Sequence, residues 1–367
     1  MAKRNRTLAG AALIAIATFA VYWPAIHGGF IWDDELLLTK NALVKASNGL
    51  YRIWFTREPI DYWPVTNSSF WIEWRLWGMN PTGYHVTNVL LHIGNALLAW
   101  ALLSRLSIAG GFIAALLFAI HPVNVESVAW IAQRKNTLSM LFFLTSTLLY
   151  LQSPIGNRQS PIRYWLSFLA FVLAMLSKGS VVILPSILLL LVWWRQKRVR
   201  MRDVVETIPF WIAAITLTIV NIWFQHHGSH SDIRDATFVQ RLLGAGAVPW
   251  FYLSKAIVPV RLMFVYPQWI VIASDPRWWL ALAATLSTTA LLFIYRRNEI
   301  VRALLFAWLF FCIALLPVMG FTDVYFMKYS LVADHYEYIA LLAVCALAGA
   351  ALAGKKRAGP PKQARSQ

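Results

Sequence analysis

Residues 8–35 read LAGAALIAIATFAVYWPAIHGGFIWDDE. The first part of this stretch, Leu8–Ile26, is apolar and has about the ~20 residues needed to cross a ~30 Å hydrocarbon core. A basic segment precedes it, but no clear small-residue cleavage site follows it, which favours a retained span over a signal peptide. The stretch ends in three consecutive acids, so it predicts a membrane helix that leads directly into an acidic loop.

The composition agrees with a membrane protein, because 59% of the 367 residues are hydrophobic and only 13% are charged. Soluble domains carry about 25% charged residues. The sequence therefore predicts an all-α polytopic membrane protein, a bundle of about 10–11 transmembrane helices with a long first outer loop. The predicted organisation is one integral membrane domain over 1–353, its first outer loop with interfacial helices over 27–83, and a basic cytoplasmic tail over 354–367.

The net charge of +17 is distributed as the positive-inside rule requires. The short loops placed on one side, together with the two termini, hold 19 of the 33 Lys and Arg residues but only 3 of the 16 Asp and Glu residues. This asymmetry predicts a cytoplasmic N-terminus and a lipid bilayer as partner, and it argues against nucleic acid. The short loops favour a bacterial inner membrane, and the excess of acids on the outer side predicts a polar working surface there.

One region does not fit simple alternation of spans. Segment 241–275 is apolar enough to span, yet Arg296 and Arg297 after the next span should be cytoplasmic. We expect 241–275 to re-enter, or to add a half-span, with both ends outside. Its prolines should break the backbone, which is tolerated only within protein or a cavity; these prolines are Pro249, Pro259 and Pro267.

The acidic run after the first span is the sharpest candidate site. Three adjacent carboxylates repel one another, so one of them would tend to keep its proton. Such a group can accept a proton from an attacking hydroxyl or hold an acceptor or a metal. The run comprises Asp33, Asp34 and Glu35. An ordinary solvated turn is the alternative interpretation.

A second candidate lies after the third span. If residues 123–136 form one helix, Glu126, Trp130 and Arg134 recur at i, i+4 and i+8 and share a face. Arg134 or Lys135 could then bind a lipid phosphate through charge-assisted hydrogen bonds. An interfacial helix with snorkelling cations is the alternative.

Lys178 lies between two short apolar segments, where an ionisable residue is a functional candidate by default and a snorkelling lysine is the alternative. Span 2 carries a polar stripe at helical spacing. Its two histidines are seven residues apart, which disfavours a zinc site and favours a hydrogen-bonded seam between helices. The stripe consists of His85, Asn88, His92 and Asn95.

Two further polar groups remain. Asp334 and His335 precede the last span and could line a site or anchor the chain at the surface. A histidine-rich loop looks metal-like, but a flexible polar loop is the favoured interpretation; it contains His226, His227, His230 and Asp232. We assign no metal site and require no cofactor, with the use of a divalent metal left open.

Taken together, these motifs resemble the membrane part of transmembrane-and-tetratricopeptide-repeat proteins. That family is similar to the protein O-mannosyltransferases and has the GT-C glycosyltransferase fold. The resemblance extends over nearly the whole chain, in order, although the 367 residues contain no tetratricopeptide repeat. The matching segments are Phe30–Asp34, Gly83–His92, His121–Trp130, Leu176–Lys178 and Asp334–Tyr336.

The resemblance implies transfer of a mannose-like hexose from a polyprenyl-phosphate-linked donor to a hydroxyl of a protein, lipid or glycan acceptor on the outer face. It implies catalytic roles for Asp33 and Asp34, and donor-phosphate binding by Arg134, Lys135 and Lys178. Residues expected to line the site are Glu35, His85, His121, Glu126, Asp334 and His335.

Three positions depart from the family pattern. Trp63 and His335 stand where the family has arginine, and Asn136 stands where it has aspartate. The missing arginines are the main support for a second hypothesis, a non-catalytic homologue or membrane subunit. A transporter or flippase for lipid-linked sugar is a third, disfavoured because the sequence shows no internal symmetry.

Overall fold

The structure is a computed structural model that describes residues 2–152, 161–228 and 233–357. Within these ranges the chain is helical and contains no β-strand. The first half consists of α1 (Ala2–Ile26), α2 (Ala42–Lys45), α3 (Gly49–Phe55), α4 (Pro64–Trp77), α5 (Pro81–Arg105), α6 (Gly111–Ile120), α7 (Val125–Ala129) and α8 (Arg134–Gln152). The second half consists of α9 (Pro161–Met175), α10 (Leu184–Gln196), α11 (Met201–Gly228), α12 (Phe238–Ile257), α13 (Pro276–Ile294), α14 (Glu299–Leu315) and α15 (Leu341–Arg357).

The helices confirm an all-α polytopic membrane protein. Six described helices are long and apolar enough to cross a bilayer, and a bent pair formed by Gly111–Ile120 and Pro122–Ala129 makes up to seven. Other apolar helices, such as α9, are shorter than a bilayer requires. The number of 10–11 crossings therefore stays a prediction.

Helix α5 sets the two ends of the bundle. Its N-cap is Asn80, whose side chain accepts a hydrogen bond from Thr82 N–H at 3.1 Å. The helix begins with Pro81 and ends at Arg105. Its 25 residues extend about 37 Å. We call the end with the first loop, residues 27–80, the site face, and the end with Arg105 the far face.

Close packing of small residues joins α6 to α15. Gly110 has a φ of +71°, and a Cβ at Gly349 would come within 2.7 Å of the Gly110 carbonyl oxygen. Only glycine at both positions permits this approach, as in small-residue contacts between membrane helices. The contact brings the end of the chain against the start of α6.

The expectation that Pro249 breaks the chain is wrong, because α12 continues through it. The helix begins with a capping box between Thr237 and Gln240, and neighbouring α13 packs against it. A proline ring is accommodated here at the cost of one backbone hydrogen bond. Pro259 and Pro267 lie outside helices, in the irregular return segment 258–275.

Both ends of α12 nevertheless meet loops of the site face. Near its beginning, Arg241 pairs with Asp323 at 2.7 Å, in the loop after α14. Near its end, the Ala256 carbonyl lies 3.1 Å from His121 Nε2, at the end of α6. These contacts fit the expected arrangement with both ends of the region on one side.

A buried arginine joins three helices beneath the first loop. Arg134, 1% exposed, donates from Nη1 to Glu73 Oε2 of α4 at 2.7 Å, from Nη2 to the Tyr84 carbonyl at 3.0 Å, and from Nε to Asn88 Oδ1. Each partner of the guanidinium lies on α4 or α5, so the start of α8 is fixed against both. We call this group the Arg134 junction.

The predicted helical face shared by Glu126, Trp130 and Arg134 is wrong. Trp130 has extended backbone, with φ −80° and ψ 119°, which ends α7, and a 3-10 turn precedes α8. Glu126 and Arg134 therefore point toward different neighbours. The buried, paired guanidinium also does not fit the donor-phosphate role predicted for Arg134.

The Arg134 junction predicts that Glu73→Gln destabilises the protein. The change leaves a buried guanidinium without its counter-charge, which costs about 3–5 kcal/mol. Thermal unfolding in detergent should show a markedly lower midpoint. Glu58→Gln is the matched control, because Glu58 pairs with Arg52 at the exposed surface and its loss should leave the midpoint unchanged. Equal midpoints for both variants would contradict a structural role for the junction.

Candidate active site

Asp33 and Asp34 of the acidic run differ in burial and in hydrogen bonding. Asp34 is buried, and its carboxylate accepts from Ile31 N–H at 2.9 Å and from Ala132 N–H at 2.7 Å. It therefore fastens the first loop to the segment just before the Arg134 junction. Asp33 is half-buried and has no hydrogen-bond or ion-pair partner in the described part of the chain. Its carboxylate is free to meet a substrate.

Backbone geometry supports this division. Trp32, just before the pair, has a φ of +44°, a left-handed conformation that is costly for a bulky side chain. Its ring is held at 4.9 Å from Phe264 and 5.4 Å from Tyr329, measured between centroids. The turn sends Asp34 inward and leaves Asp33 beside these rings. Glu35 starts a short π-helical turn and pairs with Lys40 at the exposed surface, away from the buried groups.

Burial raises the pKa of Asp34 to about 6, and the neighbouring charge of Asp33 adds to the rise. The two backbone N–H donors and the ammonium of Lys135 oppose it. Asp34 thus stays largely ionised at neutral pH, as its two accepted hydrogen bonds require.

Lys135, next to the Arg134 junction, has no carboxylate partner among the described residues. Its ammonium lies 4.8 Å from the centre of the Trp63 ring, a cation–π contact, and no ion pair involves it among the described residues. Asp61, which the motifs did not single out, lies close by: burial raises its pKa, and Lys135 and a hydrogen bond from Gln225 lower it. The first loop thus contributes a second acid near Asp33.

Lys178 is a further cation of this kind. Its Nζ donates to Asn136 Oδ1, a neutral amide, so its charge is not compensated by a carboxylate contact in the described ranges. Burial lowers the pKa of Lys178 to about 7, the charge of Lys135 lowers it further, and Glu126 opposes both. A partly desolvated ammonium whose hydrogen-bond partner is a neutral amide can still bind an anion.

The first loop holds Lys178 in place. Thr66 Oγ1 donates to the Ser177 carbonyl at 2.9 Å, and Val65 N–H donates to the Leu176 carbonyl at 3.2 Å. The start of α4 therefore docks on the turn before Lys178. A narrow cleft of about 20 Å³ beside Lys178 is lined by Asn136, Ser139, Ser180 and His335, among others.

Glu126 and His335 form a buried pair across the fold. Glu126 Oε2 accepts from His335 N–H at 2.9 Å, and Oε1 lies 2.7 Å from its Nδ1. The His335 carbonyl in turn accepts from Asn136 Nδ2 at 2.9 Å. Burial lowers the pKa of His335, while the carboxylate of Glu126 raises it. The pair connects α7 to the segment before α15 and, through Asn136, to Lys178.

The preceding residue, Asp334, faces a different neighbour. Its Oδ1 accepts from Tyr266 O–H at 2.7 Å, in the return segment after α12. Burial raises the pKa of Asp334 to about 7; the Tyr266 hydrogen bond and Lys255 oppose the rise, and Glu126 adds to it. Asp334 therefore ties the return segment to the site.

The polar stripe of α5 forms the predicted seam. Asn88 donates to the Trp130 carbonyl at 3.2 Å, Asn95 donates to the Thr137 carbonyl at 2.8 Å, and His92 lies 2.6 Å from the Tyr338 hydroxyl. His85 packs under the first loop, 3.3 Å from where a Cβ on Gly28 would stand. These residues support the site from below, as does His121.

An aromatic wall surrounds the Trp32 ring, next to Asp33 in the chain, and only Trp32 and Trp130 of its members lie in motifs recognised in the sequence. The centroids of four rings lie between 4.9 and 6.4 Å from the centroid of the Trp32 ring. These rings belong to Trp130, Phe264, Phe326 and Tyr329. No local motif marks Phe264 or Phe326, since four distant segments must fold together to form the wall.

Sequence comparison finds similarity to protein O-mannosyl-transferases over part of the chain. Protein O-mannosyl-transferase F38B6.6 of Caenorhabditis elegans is 30% identical over 176 residues, 43% of this chain and 24% of the relative. Human protein O-mannosyl-transferase TMTC4 is 33% identical over 167 residues, 37% of this chain and 22% of the relative.

The chain is homologous to animal protein O-mannosyl-transferases. The similarity also includes mouse protein O-mannosyl-transferase TMTC1, 32% identical over 160 residues, 39% of this chain and 17% of that protein. The matched part spans about a quarter or less of each of these relatives. No family model matches.

On the site face the fold gathers Asp33, Asp34, Lys135, Lys178, Glu126, Asp334 and His335. In the described ranges, no three His, Cys, Asp or Glu side chains are grouped so as to hold a metal ion. His230 and Asp232 of the histidine-rich loop lie outside the described residues, as does most of the basic tail. Metal use therefore stays open.

The division within the acidic pair predicts different stabilities for two variants. In Asp34→Asn an amide replaces one accepting oxygen, so a buried N–H of Ile31 or Ala132 loses its partner, at a cost of about 1–3 kcal/mol. Asp33→Asn removes no hydrogen bond and should leave the thermal midpoint unchanged. A lower midpoint for Asp33→Asn than for Asp34→Asn would reverse the assignment.

Proposed function

We propose that the protein is an inverting GT-C-type glycosyltransferase that moves a mannose-like hexose from a polyprenyl-phosphate donor to a protein hydroxyl. The observation that carries the proposal is that one carboxylate and two cations without ion-pair partners in the described ranges occur on the same face of the bundle. The carboxylate is that of Asp33, and the cations are Lys135 and Lys178. A base and an anion site are the two groups that such a transfer needs.

In the proposed reaction the Asp33 carboxylate accepts the proton of the acceptor hydroxyl. The acceptor oxygen forms a bond to the anomeric carbon as the bond from that carbon to the phosphate oxygen breaks. The polyprenyl phosphate leaves with the bonding electron pair, and its growing negative charge is stabilised by Lys178 and Lys135. Attack opposite the departing phosphate inverts the anomeric centre.

The neighbours of these groups fit the proposal. The aromatic wall next to Asp33 offers an apolar surface on which a sugar ring or acceptor side chain could pack. Asp34 and the Arg134 junction then have positioning roles, because both hold segments that carry Asp33 or Lys135. Glu126, Asp334 and His335 fasten the segment before α15 to α7 and to the return segment.

The names of the relatives support a protein acceptor and mannose as the sugar in this proposal. The site face is proposed to face away from the cytoplasm, with the N-terminus cytoplasmic, from the distribution of Lys and Arg. Because the three relatives above are animal proteins, they give no support to a bacterial inner membrane, which stays a prediction from the sequence.

The central test is donor turnover by Asp33→Asn. Purified protein in proteoliposomes would be given radiolabelled polyprenyl-phosphate mannose, with the glucose and galactose analogues as alternatives, and membrane proteins as acceptors. Loss of the base should lower kcat about 10²–10⁴-fold while the KM for the donor changes little. Release of free polyprenyl phosphate and labelling of protein would both be measured.

Glu35→Gln is the matched control, because this neighbouring acid is exposed and pairs only with Lys40. It should retain turnover. Undiminished turnover in Asp33→Asn would refute the catalytic role, and absence of turnover with every donor in the wild type would refute the transferase.

The pH dependence tests Lys178. With a pKa of about 7, the free ammonium is charged below this pH and loses its charge above it. The value of kcat/KM, which reports the free enzyme, should therefore fall as the pH rises through about 7. Lys178→Arg keeps its charge and should move this fall to higher pH. Lys135→Arg should retain the wild-type pH profile. If kcat/KM of Lys178→Arg fell at the same pH as that of the wild type, Lys178 would not be the group that causes the fall.

A further inference from the structure

A second cavity lies at the far face, well away from the acidic pair. It has a volume of about 230 Å³ and lies between the ends of α5, α6, α10, α14 and α15. Its lining includes Phe310 and Leu342, which lie farther along α14 and α15 from the far face, and Ser107, Trp194 and Ala350, which lie nearer to it. From Leu342 to Ala350 the groove follows α15 for about 12 Å.

The lining determines what can fill this space. Apart from Ser107, every lining residue is apolar, including Leu103, Leu191, Phe306 and Ala346. Apolar cavities of about 150 Å³ stay dry and take up hydrocarbon such as benzene. A larger apolar cavity at the end of membrane-spanning helices therefore suits a hydrocarbon chain.

The end of the cavity nearest the far face carries positive charge. The guanidinium of Arg302 lies 5.9 Å from the centre of the Trp194 ring, which itself lines the cavity. The Arg302 side chain is 19% exposed, and its ion pair is with the exposed Glu299, 3.5 Å from Nη2. Arg105 ends α5 at the same face. A partly exposed guanidinium whose one ion pair is long and exposed can bind a phosphate oxygen.

We propose that this cavity binds an anionic phospholipid, with an acyl chain between α14 and α15 and its phosphate on Arg302. Basic pockets between membrane helices are known to bind acidic lipid head groups. The site is separate from the proposed donor site, because α5 places about 37 Å between the two faces. It would fill the gap between five helix ends and hold α15 against the bundle.

Photocrosslinking of the wild-type chain tests the location. Full-length protein in bilayers would be given phosphatidylglycerol with a diazirine near the middle of one acyl chain. The label should be found on peptides that contain residues 303–310 and 342–350. Labelling confined to the lipid-facing surface of α13, or labelling of these peptides that excess unlabelled phosphatidylglycerol does not reduce, would overturn the proposal.

Binding by variants tests the chemistry. Delipidated protein would be titrated with phosphatidylglycerol and phosphatidylcholine, followed by native mass spectrometry. Ala346→Phe fills the cavity and should weaken phosphatidylglycerol binding at least tenfold. Arg302→Gln should remove the preference for phosphatidylglycerol over phosphatidylcholine. The controls are Ala351→Phe and Arg296→Gln, exposed positions near the same face.

Unchanged phosphatidylglycerol binding by Ala346→Phe would show that the acyl chain does not lie in this cavity. A retained preference for phosphatidylglycerol in Arg302→Gln would show that Arg302 does not bind the phosphate. Thermal midpoints of all four variants without lipid would identify any misfolded protein, in which case the crosslinking pattern of the wild type decides. Donor turnover plays no part in either readout, so failure here is distinct from failure of the proposed transferase.

Discussion

The buried ion pair between Arg134 and Glu73 is the interaction on which the site face depends. A guanidinium taken out of water is expensive unless its charge and its donors are matched. Here a carboxylate from α4, a carbonyl and an amide from α5 meet that need. The chain therefore has one favourable way to bring the first loop, α5 and the start of α8 together.

Placing Arg134 in the junction also determines which charges remain for chemistry. The next residue, Lys135, contacts the aromatic ring of Trp63 and forms no ion pair among the described residues. Asp34 fastens the first loop two residues before Arg134, and this leaves Asp33 without a partner in the described ranges. In each pair of adjacent like charges, Asp33–Asp34 and Arg134–Lys135, one residue forms buried hydrogen bonds that stabilise the fold and the other forms none in the described ranges.

The three departures from the family pattern meet in this same place. Trp63 receives the ammonium of Lys135, Asn136 receives that of Lys178, and Asn136 donates to the carbonyl of His335. Together they replace charged groups by neutral ones around two lysines. Asn136 leaves Lys178 facing a neutral amide, whereas Trp63 and His335 each take the place of a cation, so in the proposed transferase the donor phosphate depends on the two lysines alone.

The sequence by itself determined the helical membrane architecture, the polar seam of α5 and the acidic loop, because apolar length, helical spacing and charge asymmetry are properties of neighbouring residues. It also led to the resemblance that the homologues support. Only the tertiary structure decided that Arg134 is buried, that Asp34 rather than Asp33 is fastened to the backbone, and that Phe264 and Phe326 flank the site. These depend on partners far apart in the chain, 98 residues in the case of Asp34 and Ala132 and farther in the case of Trp32 and Phe326, and no local pattern encodes such distances.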